Sequence, residues 1–200
     1  PNRASYTYRL RAYNSAGNSG YSNTASGTTP PADLFVTTPT NGFVTKPMAS
    51  TYAGIYYLTF TVYAQDVGLD AVIGFSDIPI DSYAKMTISV RFNTSNQIDV
   101  MNGTVYQSLN TVTYEKFGVY YIKIRVNTTT KTYSVYVTPE VGTETMIAQN
   151  YAFRTTRSAS AISQYGVRVM TGTGILTSNT VTMVSPTAPP QPTGIVLTDG

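Results

Sequence analysis

An all-β fold, a two-sheet antiparallel sandwich of the jelly-roll type, is predicted by three features of the sequence. Thr is the commonest residue and Tyr (17) outnumbers Phe (7); β-branched and aromatic side chains fit a pleated surface better than a helix. Short runs alternating apolar and polar residues recur through the middle of the chain, bounded by Gly, Pro, Asn and Asp, as in sandwiches and barrels. No stretch longer than a turn or two repeats with helical periodicity.

Taken in order, Tyr6-Thr7-Tyr8-Arg9-Leu10-Arg11-Ala12-Tyr13 alternates, Asn14 to Gly20 is a polar turn, and the chain extends again to Thr29. This is a strand, a turn and a strand. A hairpin of this size does not bury its own apolar face, so it expects earlier strands or a second chain against it. Two Pro-containing seams, Thr28-Thr29-Pro30-Pro31 and Ser185 to Pro192, favour extended, semi-rigid linkers. They divide the chain into a segment 1–29, a linker 30–34, a module over 35–185 and a Pro-rich tail 186–200 that opens a further β module. Inside the module, strands are expected at Ile55 to Tyr63, Ala71 to Phe75, Thr87 to Phe92, Gln97 to Met101 and Gly118 to Val126. Others follow at Thr132 to Val137, Met146 to Phe153, Gly166 to Met170 and Asn179 to Val184, with Asn127 to Lys131 as a hairpin loop.

Two stretches carry a family resemblance. Tyr6-x-Tyr8-Arg9-Leu10-Arg11-Ala12-Tyr13-Asn14, followed by Gly17, Ser19, Tyr21 and Ser22, resembles the last two strands of a fibronectin type III domain. Asp70 to Phe75, Val90 to Asn93, Ile98 to Gly103, Tyr121 to Pro139 and Tyr151 to Thr155 together resemble a laminin-G-like, concanavalin A-type jelly roll of secreted bacterial carbohydrate-active proteins. The chain departs from similar modules at Met101, Thr156-Arg157 and Gln164-Tyr165. The resemblance implies a secreted or cell-surface module beside other domains of one polypeptide, with a glycan as ligand.

Composition removes several chemistries. With no Cys and no His, the chain builds no zinc finger, Cys-ligated iron–sulfur site, Ser-His-Asp triad or Cys-His dyad. The net charge of +3 comes from 13 basic residues without a Lys/Arg run, so no nucleic acid is expected as a partner. No apolar run reaches membrane length, and no signal peptide lies in these residues. Asp66/Asp70 and Asp77/Asp81 offer oxygens to a structural calcium ion, the one cofactor the sequence admits, but neither pair has the dense spacing of a calcium loop.

Alternation assigns the two faces of each strand. Tyr56/Leu58/Phe60/Val62, Ile88/Val90/Phe92, Ile122/Ile124/Val126 and Tyr133/Val135/Val137 form the expected core. Tyr57, Tyr63, Arg91, Tyr121, Lys123, Arg125, Tyr136 and Arg168 then point outward, beside Thr59, Thr61, Asn93 and Ser134. Tyr rings stack on sugar rings, and basic side chains bind hydroxyls and carboxylates, so one such face suits a polysaccharide, with its basic groups favouring an acidic one. Solvated strands also contain these residues without any ligand. Asp99, Asn102 and Tyr106, next to Gly103, are placed to hydrogen-bond sugar hydroxyls or, alternatively, to form an Asx-type turn with Gly103 at positive φ. A glycosidase needs two carboxyls about 5 to 10 Å apart, and Glu115, Glu140 and Glu144 fall in expected loops. The expected function is therefore non-catalytic glycan binding. The alternatives are a spacer or filament subunit that joins copies of itself by strand complementation, and a polysaccharide lyase or glycosidase.

Overall fold

The computed structural model describes residues 5–15, 17–28, 34–37, 42–171, 175–178 and 182–184. The seams at 29–33 and 185–192 and the tail beyond them, where linkers and a further module are expected, lie outside these residues. In the first segment β1 (Ser5–Tyr8) pairs antiparallel with β4 (Ala25–Thr28), and the two-residue strands β2 (Tyr13–Asn14) and β3 (Gly17–Asn18) pair between them. The expected strand, turn and strand is thus present. Tyr8, Tyr13 and Tyr21 stay outside, with Tyr13 81% exposed and the Arg9 guanidinium lying 3.7 Å over the Tyr21 ring.

The main body is a two-sheet antiparallel jelly roll. Its strands are β5 (Leu34–Thr37), β6 (Val44–Tyr52), β7 (Ile55–Ala64), β8 (Ala71–Ser76), β9 (Ile88–Phe92), β10 (Ile98–Asn102) and β11 (Val105–Gln107). The chain continues through β12 (Val119–Asn127), β13 (Thr132–Pro139), β14 (Thr145–Ala152), β15 (Ile162–Val169), β16 (Ile175–Ser178) and β17 (Thr182–Val184). One sheet has six strands in the order β11-β10-β9-β8-β15-β6. The other has seven in the order β14-β13-β12-β7-β16-β5, with β17 also paired to β7. Among the described residues no helix is long and apolar enough to cross a membrane.

The core forms where the inward sides of the two sheets meet. All four expected apolar sets, on β7, β9, β12 and β13, are buried. Each such side chain stabilises the fold by roughly 1.5 to 3 kcal/mol when fully buried. Aromatic contacts join the sheets: Phe60 meets Phe75 at 5.4 Å and Phe92 meets Tyr120 at 5.7 Å between ring centroids.

Strands β5, β6, β11 and β16 were not among those expected. β6 carries Lys46 and Pro47 and forms the edge of the six-stranded sheet, the position where a sheet tolerates Pro. β11 has three residues, too few for alternation to register. β15 begins at Ile162, four positions before the expected start, with a register irregularity near its beginning.

On the outer side of the six-stranded sheet, the segment after β8 folds back across the strands. Ile80 and Met86 are fully buried there, in a small apolar cluster with Val72, Phe43 and Tyr106. Two glycines permit this approach. Gly74 and Gly166 are cross-strand partners; a Cβ on Gly74 would stand 2.5 Å from the Met86 Cγ, and one on Gly166 3.0 Å from the Ile80 Cβ. β8 is therefore buried on both faces.

Candidate functional site

The outward residues do not share one face. Arg91, Asp99, Tyr106 and Arg168 lie on β9, β10, β11 and β15, which build the six-stranded sheet, whereas Tyr57, Tyr63, Tyr121, Lys123, Arg125 and Tyr136 lie on β7, β12 and β13 of the seven-stranded sheet. The single face read from the sequence is thus two faces on opposite sides of the molecule. Alternation fixes inward against outward but carries no information on which sheet a strand joins.

The six-stranded side holds a closed polar cluster. Arg91 donates to both Asp99 carboxylate oxygens, from Nε at 2.9 Å and from Nη2 at 2.7 Å, and Asn93 Nδ2 donates to Asp99 Oδ2 at 2.8 Å. The hydrogen bond to Asp99 holds the Arg91 guanidinium further inside its charged range. The same guanidinium lies 4.0 Å over the Tyr106 ring, and the Tyr106 hydroxyl is 3.0 Å from Ser89 Oγ. Burial pushes the Tyr106 phenol up. Asp99 is itself buried, so a sugar hydroxyl would have to displace a bidentate charged pair, whose bonds are among the strong ones. Arg168 stands over Phe43 at 5.9 Å.

Asn102 belongs to a turn. Its Oδ1 accepts from Ala152 N at 2.9 Å, Gly103 has φ +62°, and Gly103 N donates to Ala152 O at 3.2 Å. Gly103 thus has the positive φ expected of the turn, but the Asn102 amide oxygen does not cap its own turn as an Asx-type turn would; it ties the β10–β11 turn to the end of β14.

On the seven-stranded side the ladder sets side chains in rows. Tyr57, Arg125 and Ser134 stand side by side, then Thr59, Lys123 and Tyr136, then Thr61, Tyr121 and Thr138, and then Tyr63 beside Val119. Cross-strand neighbours have Cβ atoms about 4.5 to 5.5 Å apart, so each row is a continuous strip. Tyr57, Thr59, Lys123, Tyr136 and Glu144 line an open groove of about 420 Å³. Lys123 Nζ is 2.6 Å from Glu144 Oε2 and 4.6 Å over the Tyr136 ring. The half-buried Arg125 side chain has no ion pair or hydrogen bond among the described residues. Lys123, expected as an outward basic group, thus has a carboxylate partner within the protein.

Glu144 was missed as a member of this face because it precedes β14 in a loop, where alternation gives no signal. A second groove of about 360 Å³, where β12 begins and β13 ends, brings together Glu115 and Glu140, which are 25 positions apart in the sequence. Three of the four acids considered for calcium face cations or hydroxyls: Asp66 pairs with Lys116 at 3.5 Å, Asp81 with Lys85 at 2.6 Å, and Asp77 with Arg157 and Ser76. Among the described residues no three His, Cys, Asp or Glu side chains converge as a metal-ligand group.

No known protein family matches the sequence, and no curated protein does. Solved structures do resemble the fold. A GH131 β-glucanase catalytic domain from Podospora anserina superposes with a TM-score of 0.52 at 11% identity, over 74% of this chain and 67% of that one. Peanut lectin matches over 91% of this chain and 99% of its own at 14% identity, with a TM-score of 0.47. Lectin I-B4 from Griffonia simplicifolia matches over 87% and 90% at 7% identity, with a TM-score of 0.49. At such identities the likeness is one of fold, the concanavalin A-like jelly roll.

Proposed function

We infer that this chain is a non-catalytic carbohydrate-binding module that holds a polysaccharide against the outer face of its seven-stranded sheet. The observation that carries this reading is the groove in which Tyr57 and Tyr136 flank Thr59 and the Lys123–Glu144 pair, with Arg125 in the adjoining row. Each ring offers a flat apolar surface to a sugar ring, while the ion pair and Thr59 offer hydrogen bonds to hydroxyls. Arg125, with no anion against it among the described residues, gives the face a preference for sugars bearing carboxylates. The opposite side is the weaker candidate, because its charges are bonded to one another. The fold shared with a β-glucanase domain supports the reading by analogy only. The charge-poor, Thr- and Tyr-rich composition fits a secreted setting beside other domains.

Titration calorimetry against soluble β-glucan, xylan, pectate and alginate tests this. One or more of the polymers binds, the double variant Tyr57→Ala/Tyr136→Ala weakens that binding about thirtyfold, at roughly 1 kcal/mol per stacked ring, and Arg91→Ala leaves it unchanged. Arg125→Gln weakens only the acidic polymers. Failure of every polymer to bind, or binding that survives the double variant, refutes the reading. New reducing ends that disappear in Glu115→Gln would make the chain a hydrolase acting at the Glu115–Glu140 groove.

A further inference from the structure

Phe117 carries the most unfavourable combination of conformation and exposure among the described aromatic residues. Its φ is +63°, in the left-handed region that bulky side chains avoid, and its side chain is 60% exposed. The surrounding turn over-determines this conformation. Phe117 N donates to Ala64 O at 2.7 Å, Gly118 N to Glu115 O at 3.0 Å, and Ala64 N to Gly118 O at 3.0 Å. Glu115 N donates to the Tyr120 hydroxyl at 2.7 Å, and a Cβ on Gly118 would stand 2.5 Å from that same oxygen. Gly or Asn would occupy position 117 with less strain, and an exposed ring gains little from burial to offset it. Backbone strain that the surroundings enforce on an exposed side chain points to a role for that side chain outside the fold.

The direction of that role follows from the neighbours. The Phe117 ring stacks on Tyr63 with centroids 6.3 Å apart and planes 22° apart, and Lys116 Nζ lies 5.4 Å from its centroid. Tyr63 is the last outward residue of β7, on the same face and strand as Tyr57. At about 3.4 Å per residue, Tyr57 and Tyr63 stand roughly 20 Å apart along β7. Between them the face presents Thr59, Thr61, Lys123 and Tyr121. Polar hydrogen-bonding groups thus lie between two aromatic stations, all on one straight strand direction.

We propose that Phe117, stacked on Tyr63, is a second sugar-stacking station, so that the site takes a long unbranched polysaccharide lying parallel to β7 and β12 rather than a short or terminal sugar. This rests on the glycan-binding reading of the same face, and it extends that face by a residue outside any strand.

The test compares chain lengths. The best-binding polymer of β-glucan, xylan, pectate and alginate is used intact and as its di- and trisaccharides, with wild type, Phe117→Gly, Phe117→Asn and Tyr57→Ala. Phe117→Gly and Phe117→Asn are expected to lower affinity for the intact polymer about fivefold, to leave the short oligosaccharides bound as by wild type, and to leave the urea midpoint unchanged or raised. Tyr57→Ala weakens both lengths. If Tyr57→Ala weakens binding and the Phe117 variants do not, or if they weaken both lengths while lowering the midpoint, the second station is wrong and the groove reading stands. If wild type binds none of the polymers, both fall.

Discussion

Gly74 shows how one missing side chain shapes a whole surface. Its hydrogen leaves the space into which Met86 packs, and the cross-strand Gly166 does the same for Ile80. Ordinary glycine economy in strands runs the other way, since Gly weakens a strand interior. Here the lost strand preference is offset by the burial of two large apolar side chains on the outer side of the six-stranded sheet. Gly74→Ala would put its methyl 2.5 Å from both the Cγ and the Sδ of Met86. Met86 has no exposed area into which to retreat, so the segment must lift. We expect a loss of about 1 to 3 kcal/mol, the usual cost of overpacking a filled interior. It should be read as a lower urea midpoint with an unchanged slope. Polysaccharide affinity should stay at the wild-type value, because the groove with Tyr57 and Tyr136 is on the other sheet. A Gly74→Ala chain as stable as wild type would show that the segment is not seated on the sheet.

At the scale of elements, what the sequence disclosed and what it hid have the same cause. Alternation is a local property with period two, so β7, β12 and β13 were placed within one or two residues and every residue of their expected core sets is buried, with Ala64, Tyr120 and Ser134 buried in addition. Sheet membership depends on pairings between distant segments, such as β8 with β15. Tyr57 and Arg91 therefore read alike and end on opposite sides. Phe117 sits in a turn and Glu144 in a loop, where no period exists to mark them. Pro47 concealed β6 by the same property that equips it for a sheet edge: it has no N–H to offer a neighbouring strand. Lys46 beside it adds a charge to that edge, and β14, at the edge of the other sheet, is broken by register shifts opposite Tyr133 to Tyr136. Both features are devices that discourage edge-to-edge pairing. They oppose the filament alternative, in which copies join by strand complementation. Light scattering on the wild-type chain should give a monomer, and Lys46→Val/Pro47→Val should shift it toward dimers and larger species. A wild-type chain that assembles at micromolar concentration would restore the filament reading.

The molecule as a whole is a tyrosine-bearing sandwich without histidine, and this sets its response to pH. Tyr56, Tyr83, Tyr106, Tyr114, Tyr120, Tyr133, Tyr151 and Tyr165 all have phenols pushed above 10.0, in each case mainly by burial. A group whose pKa is higher folded than unfolded contributes stability that is present in full below the unfolded value and is lost as the pH rises through the folded one. With no His, the chain lacks the one side chain that ordinarily changes charge between about pH 5 and 8. Asp81, held below its usual range first by the hydrogen bond from Lys85, acts in the opposite direction: its contribution is present above the unfolded value and is lost as the pH falls through the folded one. The exposed pair adds little, since surface ion pairs are screened by water. The stability curve should therefore be flat across neutral pH and fall cooperatively above about pH 10, as buried phenols are drawn into ionisation. Circular dichroism and phenolate absorbance, followed together through an alkaline titration, check this. The phenolate signal should remain incomplete while the native spectrum persists and should finish only with unfolding. Complete ionisation of the tyrosines in a chain that keeps its native spectrum would mean that the rings between the two sheets are not buried, and the sandwich described above would be wrong at its centre.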